Sequence, residues 1–273
     1  MNEKCKSLLD EVRKLRPLVH HITNYVTVND CANATLAIGG SPVMADCKDE
    51  AAEIAGISNA LVLNMGTLNS STVASMFIAG REANAKGVPV VFDPVGAGAS
   101  KLRDLTALHI IREIRLSVVR GNISEIKSVS GLHASTKGVD ASEADMADAS
   151  ASAKLAKDLA ERLGAVVVVS GAIDTVSDGK NTLHIENGHK CLGSLCGTGC
   201  MCSSLIGTFL GAAPSEPFAA SVAAMASMGV CGEIAGYCDK MKGIGSFRTL
   251  LLDAISRLDG SILERAAKIR EAD

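Results

Sequence analysis

Apolar residues are grouped along this chain in two ways, and the alternation between them predicts the architecture. Short continuous runs rich in Val and Leu occur at ALVLN (60–64), VPVVFD (88–93), LSVVRGN (116–122) and AVVVVS (165–170). A run without a polar face is the pattern of a parallel strand covered on both sides. Longer stretches with helical spacing lie between and after them, at 71–87, 149–164 and 217–237, with one more following the turn at 197–199. Such strand and helix alternation predicts an α/β fold: a mainly parallel sheet with helices on both faces. Residues 175–187, TVSD through TLHIEN, read as a hairpin turning at Asp178-Gly179, which would leave His184 and His189 in solvent. LVHHITNYVTVNDCANATLAIGG fits neither period well, and the polar, Ala-rich stretch 131–150 reads as a loop and helix cap.

Composition narrows this picture. With 273 residues, 47% of them hydrophobic, the chain can bury a full core, and a single domain over 1–273 is expected. The formal net charge of −3, without a basic stripe, argues against nucleic acid as a main partner. The first residues, MNEKCKSLLDEVRKLRP, are charged and amphipathic and contain no apolar export segment, so a cytoplasmic location is expected. Residues 191–215 carry no Asp, Glu, Lys or Arg, yet Gly, Ser, Thr and Cys interrupt them throughout. Their apolar runs fall far short of the roughly 20 residues of a membrane span, so a buried helix is expected and no membrane partner. Nine cysteines, an odd number, point to reduced thiols rather than a disulfide framework.

Candidate chemistry gathers at the ends of the strands. Each apolar run closes on a small or polar residue and a turn, and in open α/β sheets ligands bind beyond the carboxyl ends of the strands. Asn64, Asp93, Asn122 and Ser170 would therefore converge on one edge, with Gly66, Gly96, Gly98 and Gly171 allowing close main-chain approach. Singly, each is an ordinary turn residue; four on one edge favour a site. Asp93 and Glu125 are the carboxylates suited to Mg²⁺, which commonly rests on one or two carboxylates plus substrate phosphates. Asn122 and Glu125 also have the spacing of a helix capping box, and the two readings are compatible. Gly197-Thr198-Gly199, running into a helix, offers an anion site made of free N–H groups and a positive helix end. It is not a Walker loop, since no Gly-Lys-Ser or Gly-Lys-Thr follows. Cys200 in the first turn would feel that helix end, which lowers a thiol pKa. Other readings of this cysteine are a buried packing residue, a zinc site with Cys191, Cys196 and Cys202, or a redox pair. Against zinc, the spacing contains no CxxC pair and puts 200 and 202 on different sides of a helix. His20 and His21 have no visible carboxylate partner and are not assigned as general bases.

These blocks resemble a known family. "RPLVHHITNYVTVNDCANATLAIGGSPVMA", "ALVLNMGTL", "GVPVVFDPVGAGAS", "VVRGNISEI", "KGVD", "ENGH" and "CGTGCMCSSLIGTF" occur in the order seen in the hydroxyethylthiazole kinases, which have the ribokinase-like fold. The resemblance runs from about residue 16 to 250. It implies a three-layer α/β/α kinase that uses ATP and Mg²⁺ to phosphorylate 4-methyl-5-(2-hydroxyethyl)thiazole in thiamine salvage. It also implies a homotrimer with the thiazole pocket at subunit interfaces. On the family pattern Met44 and Gly197 line that pocket, with Asn24 and Gly66 close by. Arg120 and Ser170 match nucleotide-contacting positions, and Asn122, Thr198 and Gly199 stand beside them. Asp93 and Glu125 match the magnesium environment, and Gly197 to Cys200 match the anion hole and catalytic position. The family usually carries Thr where Cys196 stands and often Thr where Ser170 stands. A hydroxyl survives at 170, while the thiol at 196 is a weaker hydrogen-bonding group. Phosphorylation of hydroxymethylpyrimidine or pyridoxal, a zinc or redox protein, and a nucleotide-binding regulator are the competing readings.

Overall fold

The computed structural model describes residues 1–131 and 149–272, so most of the expected 131–150 loop lies outside the described residues. In chain order the elements are α1 (Asn2–Leu15), β1 (Leu18–Ile22), α2 (Val28–Ile38), β2 (Ser41–Met44), α3 (Ala51–Ile57), β3 (Ala60–Asn64), α4 (Ser70–Lys86), β4 (Val90–Asp93) and α5 (Lys101–Glu113). There follow β5 (Val118–Asn122), α6 (Ile123–Ser130), α7 (Ala149–Leu163), β6 (Val166–Ser170), β7 (Asp174–Ser177), β8 (Thr182–Ile185) and α8 (Cys191–Ser194). The chain ends with α9 (Thr198–Ala212), α10 (Pro217–Gly236), α11 (Ile244–Arg257), α12 (Gly260–Ala266) and β9 (Ile269–Glu271).

All the strands join one sheet in the order β2-β1-β3-β4-β5-β6-β7-β8-β9. Pairing is parallel from β2 through β6 and antiparallel from β6 to β9. Successive side chains of a strand point to opposite faces, and the two cores divide accordingly. Val62, Val91, Val118, Val166 and Val168 pack with residues of α1, α2, α9, α10, α11 and α12. Leu61, Leu63, Phe92, Val119 and Val167 pack with residues of α3 to α7. Both faces are thus covered, which is why the four strand runs read as uninterrupted apolar sequence.

The boundaries follow local chemistry. Pro89 cannot donate to the ladder, and β4 begins after it at Val90 rather than at 88. The stretch that fitted neither period contains β1, α2 and β2. It hides two histidines, His20 and His21, in the interior of a buried strand. The hairpin forms, but His184 is not in solvent. The C-terminal strand β9 covers β8, and His184 is buried with Nδ1 3.0 Å from the Thr175 hydroxyl. His189 lies beyond the hairpin, half-buried against the rings of Tyr237 and Phe247. One helix among the described residues, α10, is long and apolar enough to cross a membrane, and most of it is buried within the fold.

Candidate active site

Parallel register aligns the carboxyl ends of the strands, and the polar residues with them. Asn64 stands opposite Asp93, and Asn122 opposite Ser170. Asp93 is fully buried. Its Oδ2 accepts from Asn64 Nδ2 at 2.8 Å and from the Ser203 hydroxyl at 2.7 Å, and lies 3.8 Å from Arg120 Nη1. Its Oδ1 is buried with no hydrogen-bond partner among the described residues. Burial pushes the carboxyl up to about 6, although the positive charge of Arg120 pulls the other way. An unpartnered, solvent-poor carboxylate oxygen suits a cation or a cation-bound water.

Glu125 is held differently. Oε1 accepts the Gly96 N–H at 2.8 Å, and Oε2 accepts the Asn122 N–H at 2.8 Å. Asn122 in turn accepts the Glu125 N–H, completing the capping box of α6. Both Glu125 oxygens retain a second lone pair, so the carboxylate is fixed in direction yet still able to bind water or metal. Among the described residues no three His, Cys, Asp or Glu side chains gather to hold a metal. Two carboxylates completed by substrate phosphates is the donor set Mg²⁺ tolerates.

Beside Asp93 stands Cys200. Its sulfur receives Asn24 Nδ2 and Asn64 Nδ2, each at 3.3 Å, and Asn64 Oδ1 also accepts from Asn24 and from the Gly66 N–H. The thiol pKa is raised, not lowered by the helix end as expected. Desolvation dominates, the negative charge of Asp93 adds to it, and the hydrogen bonds only partly offset both. The four cysteines of this region do not form a cluster: Cys196 is exposed, Cys202 is buried, and Cys191 is half-buried.

Glycine is required at the N-cap of α9 and makes room again within its first turn. Gly197 has φ +94°, and a Cβ there would meet Thr27 Cγ2 at 2.9 Å. A Cβ on Gly199 would lie 2.7 Å from Arg120 Nη1, so its absence lets the guanidinium reach the first turn. The first N–H groups of a helix have no partner within it, and no side chain caps α9. Thr198 turns its hydroxyl away to the Leu192 carbonyl at 2.7 Å, leaving only its main chain for an anion.

Arg120, Ser170, Thr198 and Gly199 line a cavity of about 600 Å³ together with Asp174 and Met228, whereas Asp93, Glu125, Gly197 and Cys200 stand outside its lining. Arg120 Nη2 donates to Ser170 Oγ at 2.8 Å, while its buried Nε has no partner among the described residues. Met44 shares the sheet edge but sits half-buried on the outermost strand β2, separated from Asn64 by β1. The sequence reading missed Ser203 and Asp174. Ser203 was legible as the helical neighbour of Cys200, one turn on. Asp174, whose carboxyl burial raises to about 6, reads in the sequence as part of the turn after the 165–170 strand and carried no assignment.

Uncapped helix N–H groups, a buried arginine, two carboxylates and a thiol thus gather at the carboxyl edge of a mainly parallel sheet, the plan of the ribokinase-like kinases. The chain matches the Hydroxyethylthiazole kinase family over residues 9–261. It is 55% identical to the hydroxyethylthiazole kinase of Ruminiclostridium cellulolyticum, covering 97% of this chain and 96% of that one. It is 48% identical to that of Methanocella arvoryzae, covering 97% of each. The solved hydroxyethylthiazole kinase of Pyrococcus horikoshii superposes with a TM-score of 0.89 at 38% identity, over 98% of this chain and 99% of that one. The pyridoxal kinase of Staphylococcus aureus, at 16% identity and a TM-score of 0.60, shares the fold. The chain belongs to the hydroxyethylthiazole kinase family.

Proposed function

We propose that this chain phosphorylates the hydroxyethyl group of 4-methyl-5-(2-hydroxyethyl)thiazole with ATP and Mg²⁺, as a cytoplasmic homotrimer working in thiamine salvage. The observation that carries this reading is the contact chain Asn24, Asn64, Cys200 and Asp93 beside the open first turn of α9. It supports an alcohol site at Cys200 next to a carboxylate for the metal, with the uncapped N–H groups of α9 adjoining for an anion.

Phosphoryl transfer needs positioning and charge neutralisation more than covalent chemistry. Asp93, through its unpartnered Oδ1, and Glu125, through its remaining lone pairs, are the residues that would hold Mg²⁺. Held there, Mg²⁺ would supply positive charge to offset that of the substrate phosphates. Arg120 offers Nε and its guanidinium charge to the nucleotide, braced by Ser170. The N–H groups of residues 198 to 200 face the charge that develops on the migrating phosphoryl. Cys200 orients the acceptor hydroxyl: its raised pKa keeps the thiol protonated near neutrality, and a loose transition state asks for little early proton removal. Met44 and Gly197 complete the thiazole pocket, with a neighbouring subunit closing it.

The test is a panel of small alcohols incubated with ATP and Mg²⁺, read by product mass. Selective phosphorylation of the thiazole alcohol is expected. Selective turnover of hydroxymethylpyrimidine or pyridoxal would reassign the substrate, and stoichiometric zinc with no turnover would overturn the kinase reading.

A further inference from the structure

The guanidinium of Arg103 joins two loops that flank the site from different strands. Arg103 stands in the first turn of α5, where its N–H donates to the N-cap Ser100 hydroxyl. Its Nη1 donates to the carbonyl oxygens of Met65 at 2.6 Å and Val95 at 2.5 Å, and its Nη2 to that of Gly66 at 2.8 Å. Met65 and Gly66 follow β3, whereas Val95 follows β4. Gly96, at φ +71°, is shaped around the same group, since a Cβ there would lie 3.2 Å from Nη1 and 3.3 Å from Cδ.

Both loops run on into the site. On the β3 side the Gly66 N–H donates to Asn64 Oδ1, and the Nδ2 of that amide reaches Cys200 and Asp93. On the β4 side the Gly96 N–H donates to Glu125. One cation therefore stands between the loop that leads to Asn64 and Cys200 and the turn that holds Glu125. A planar fork with fixed donor directions can span three carbonyls; a lysine ammonium, a point charge on a flexible stem, cannot do so in the same geometry. Arg103 does not line the nucleotide cavity.

We propose that Arg103 is a positioning residue for phosphoryl transfer, fixing the separation between the Met65-Gly66 loop and the Val95-Gly96 turn. It thereby sets where the acceptor hydroxyl at Cys200 lies relative to the carboxylates. This rests on the kinase reading above. Misplacing reacting groups by about 1 Å costs on the order of 100-fold in rate, so the effect falls on kcat and not on nucleotide binding.

Arg103→Lys and Arg103→Ala are compared with the parent in turnover of the thiazole alcohol, thermal unfolding, and Mg²⁺ titration of the ADP-bound protein followed by thermal shift. Arg103→Lys is expected to lower kcat by about 10- to 100-fold while the KM for ATP stays within about threefold. Its Mg²⁺ midpoint should rise severalfold, as when an outer-shell partner is lost. Arg103→Ala is expected to be weaker still, and millimolar guanidinium, but not KCl at the same ionic strength, should restore part of its kcat. Should the alanine variant fail to fold, the lysine variant carries the comparison. A lysine variant with the parent's kcat, an unmoved Mg²⁺ midpoint, or a folded alanine variant that guanidinium leaves unrepaired overturns the proposal alone. A parent inactive on every alcohol removes the kinase reading, and this proposal with it.

Discussion

Two amide groups, a neighbouring carboxylate and burial together set what Cys200 contributes. Its sulfur accepts from Asn24 and Asn64, but desolvation and Asp93 hold the thiol above its ordinary pKa. An orienting contact is worth about 1 to 1.5 kcal/mol, roughly five- to tenfold in rate, whereas a general base supplies about 10²- to 10⁴-fold. Cys200→Ala should therefore lower kcat about tenfold, checked by steady-state kinetics; a loss as deep as that from removing a magnesium carboxylate would make Cys200 the base instead. Asp93→Asn keeps the shape but removes the charge proposed to hold Mg²⁺. It should raise the Mg²⁺ concentration for half-maximal rate by about tenfold or more, and an unchanged titration would remove Asp93 from the metal site. The resemblance pointed to both residues, yet the direction of the thiol shift depends on burial that no sequence spacing reveals.

At the scale of single elements, α6 and α9 each serve the site with an N-terminus. The α6 cap holds Glu125 through Asn122, so Asn122→Ala should cost about 1 kcal/mol of stability in denaturant titration. It should also raise the Mg²⁺ requirement, because the cap directs the carboxylate; a loss of stability with unchanged metal dependence would confine Asn122 to capping. In α9, Gly199→Ala sets a methyl 2.7 Å from Arg120 Nη1. Helical backbone tolerates alanine, so the cost falls on Arg120, and the KM for ATP should rise about tenfold with little change in melting temperature. The glycine turn was legible from its spacing. Its partner was not, since Arg120 lies far upstream and reaches α9 only when β5 and α9 meet at the sheet edge.

Across the whole molecule, buried titratable groups on the sheet couple folding to pH in opposite directions. His21 is fully buried, and desolvation lowers its pKa from 6.5 to about 4. Between those values the unfolded chain binds a proton that the folded chain refuses, so this residue's contribution to stability is lost as pH falls from 6.5 towards 4. The 2.5-unit difference corresponds to about 3 kcal/mol. Asp93 and Asp174, raised from 3.8 to about 6, act in the reverse sense and regain stability as pH falls through 6. Comparing His21→Leu with the parent isolates the histidine. The stability gap between them should shift by about 3 kcal/mol in favour of the variant from pH 7 to pH 4, measured by urea unfolding at each pH. A constant gap would mean that His21 titrates normally.

Sequence alone placed strands at 60–64, 88–93, 116–122 and 165–170, within which the structure has Ala60–Asn64, Val90–Asp93, Val118–Asn122 and Val166–Ser170, because the body of a strand covered on both faces must be apolar. It also determined that polar residues terminate them, since only strand ends meet water and ligand in such a sheet. Tertiary structure decided what sequence cannot express, namely environment. β9 comes from the far end of the chain to pair with β8, and α7 packs across β7 and β8, so that His184 is buried rather than solvated. Close packing of α9 on the sheet edge raises the Cys200 thiol and brings Ser203 onto Asp93. Burial, desolvation and contact across long sequence separations are properties of packed layers, and they exist only once the layers have formed.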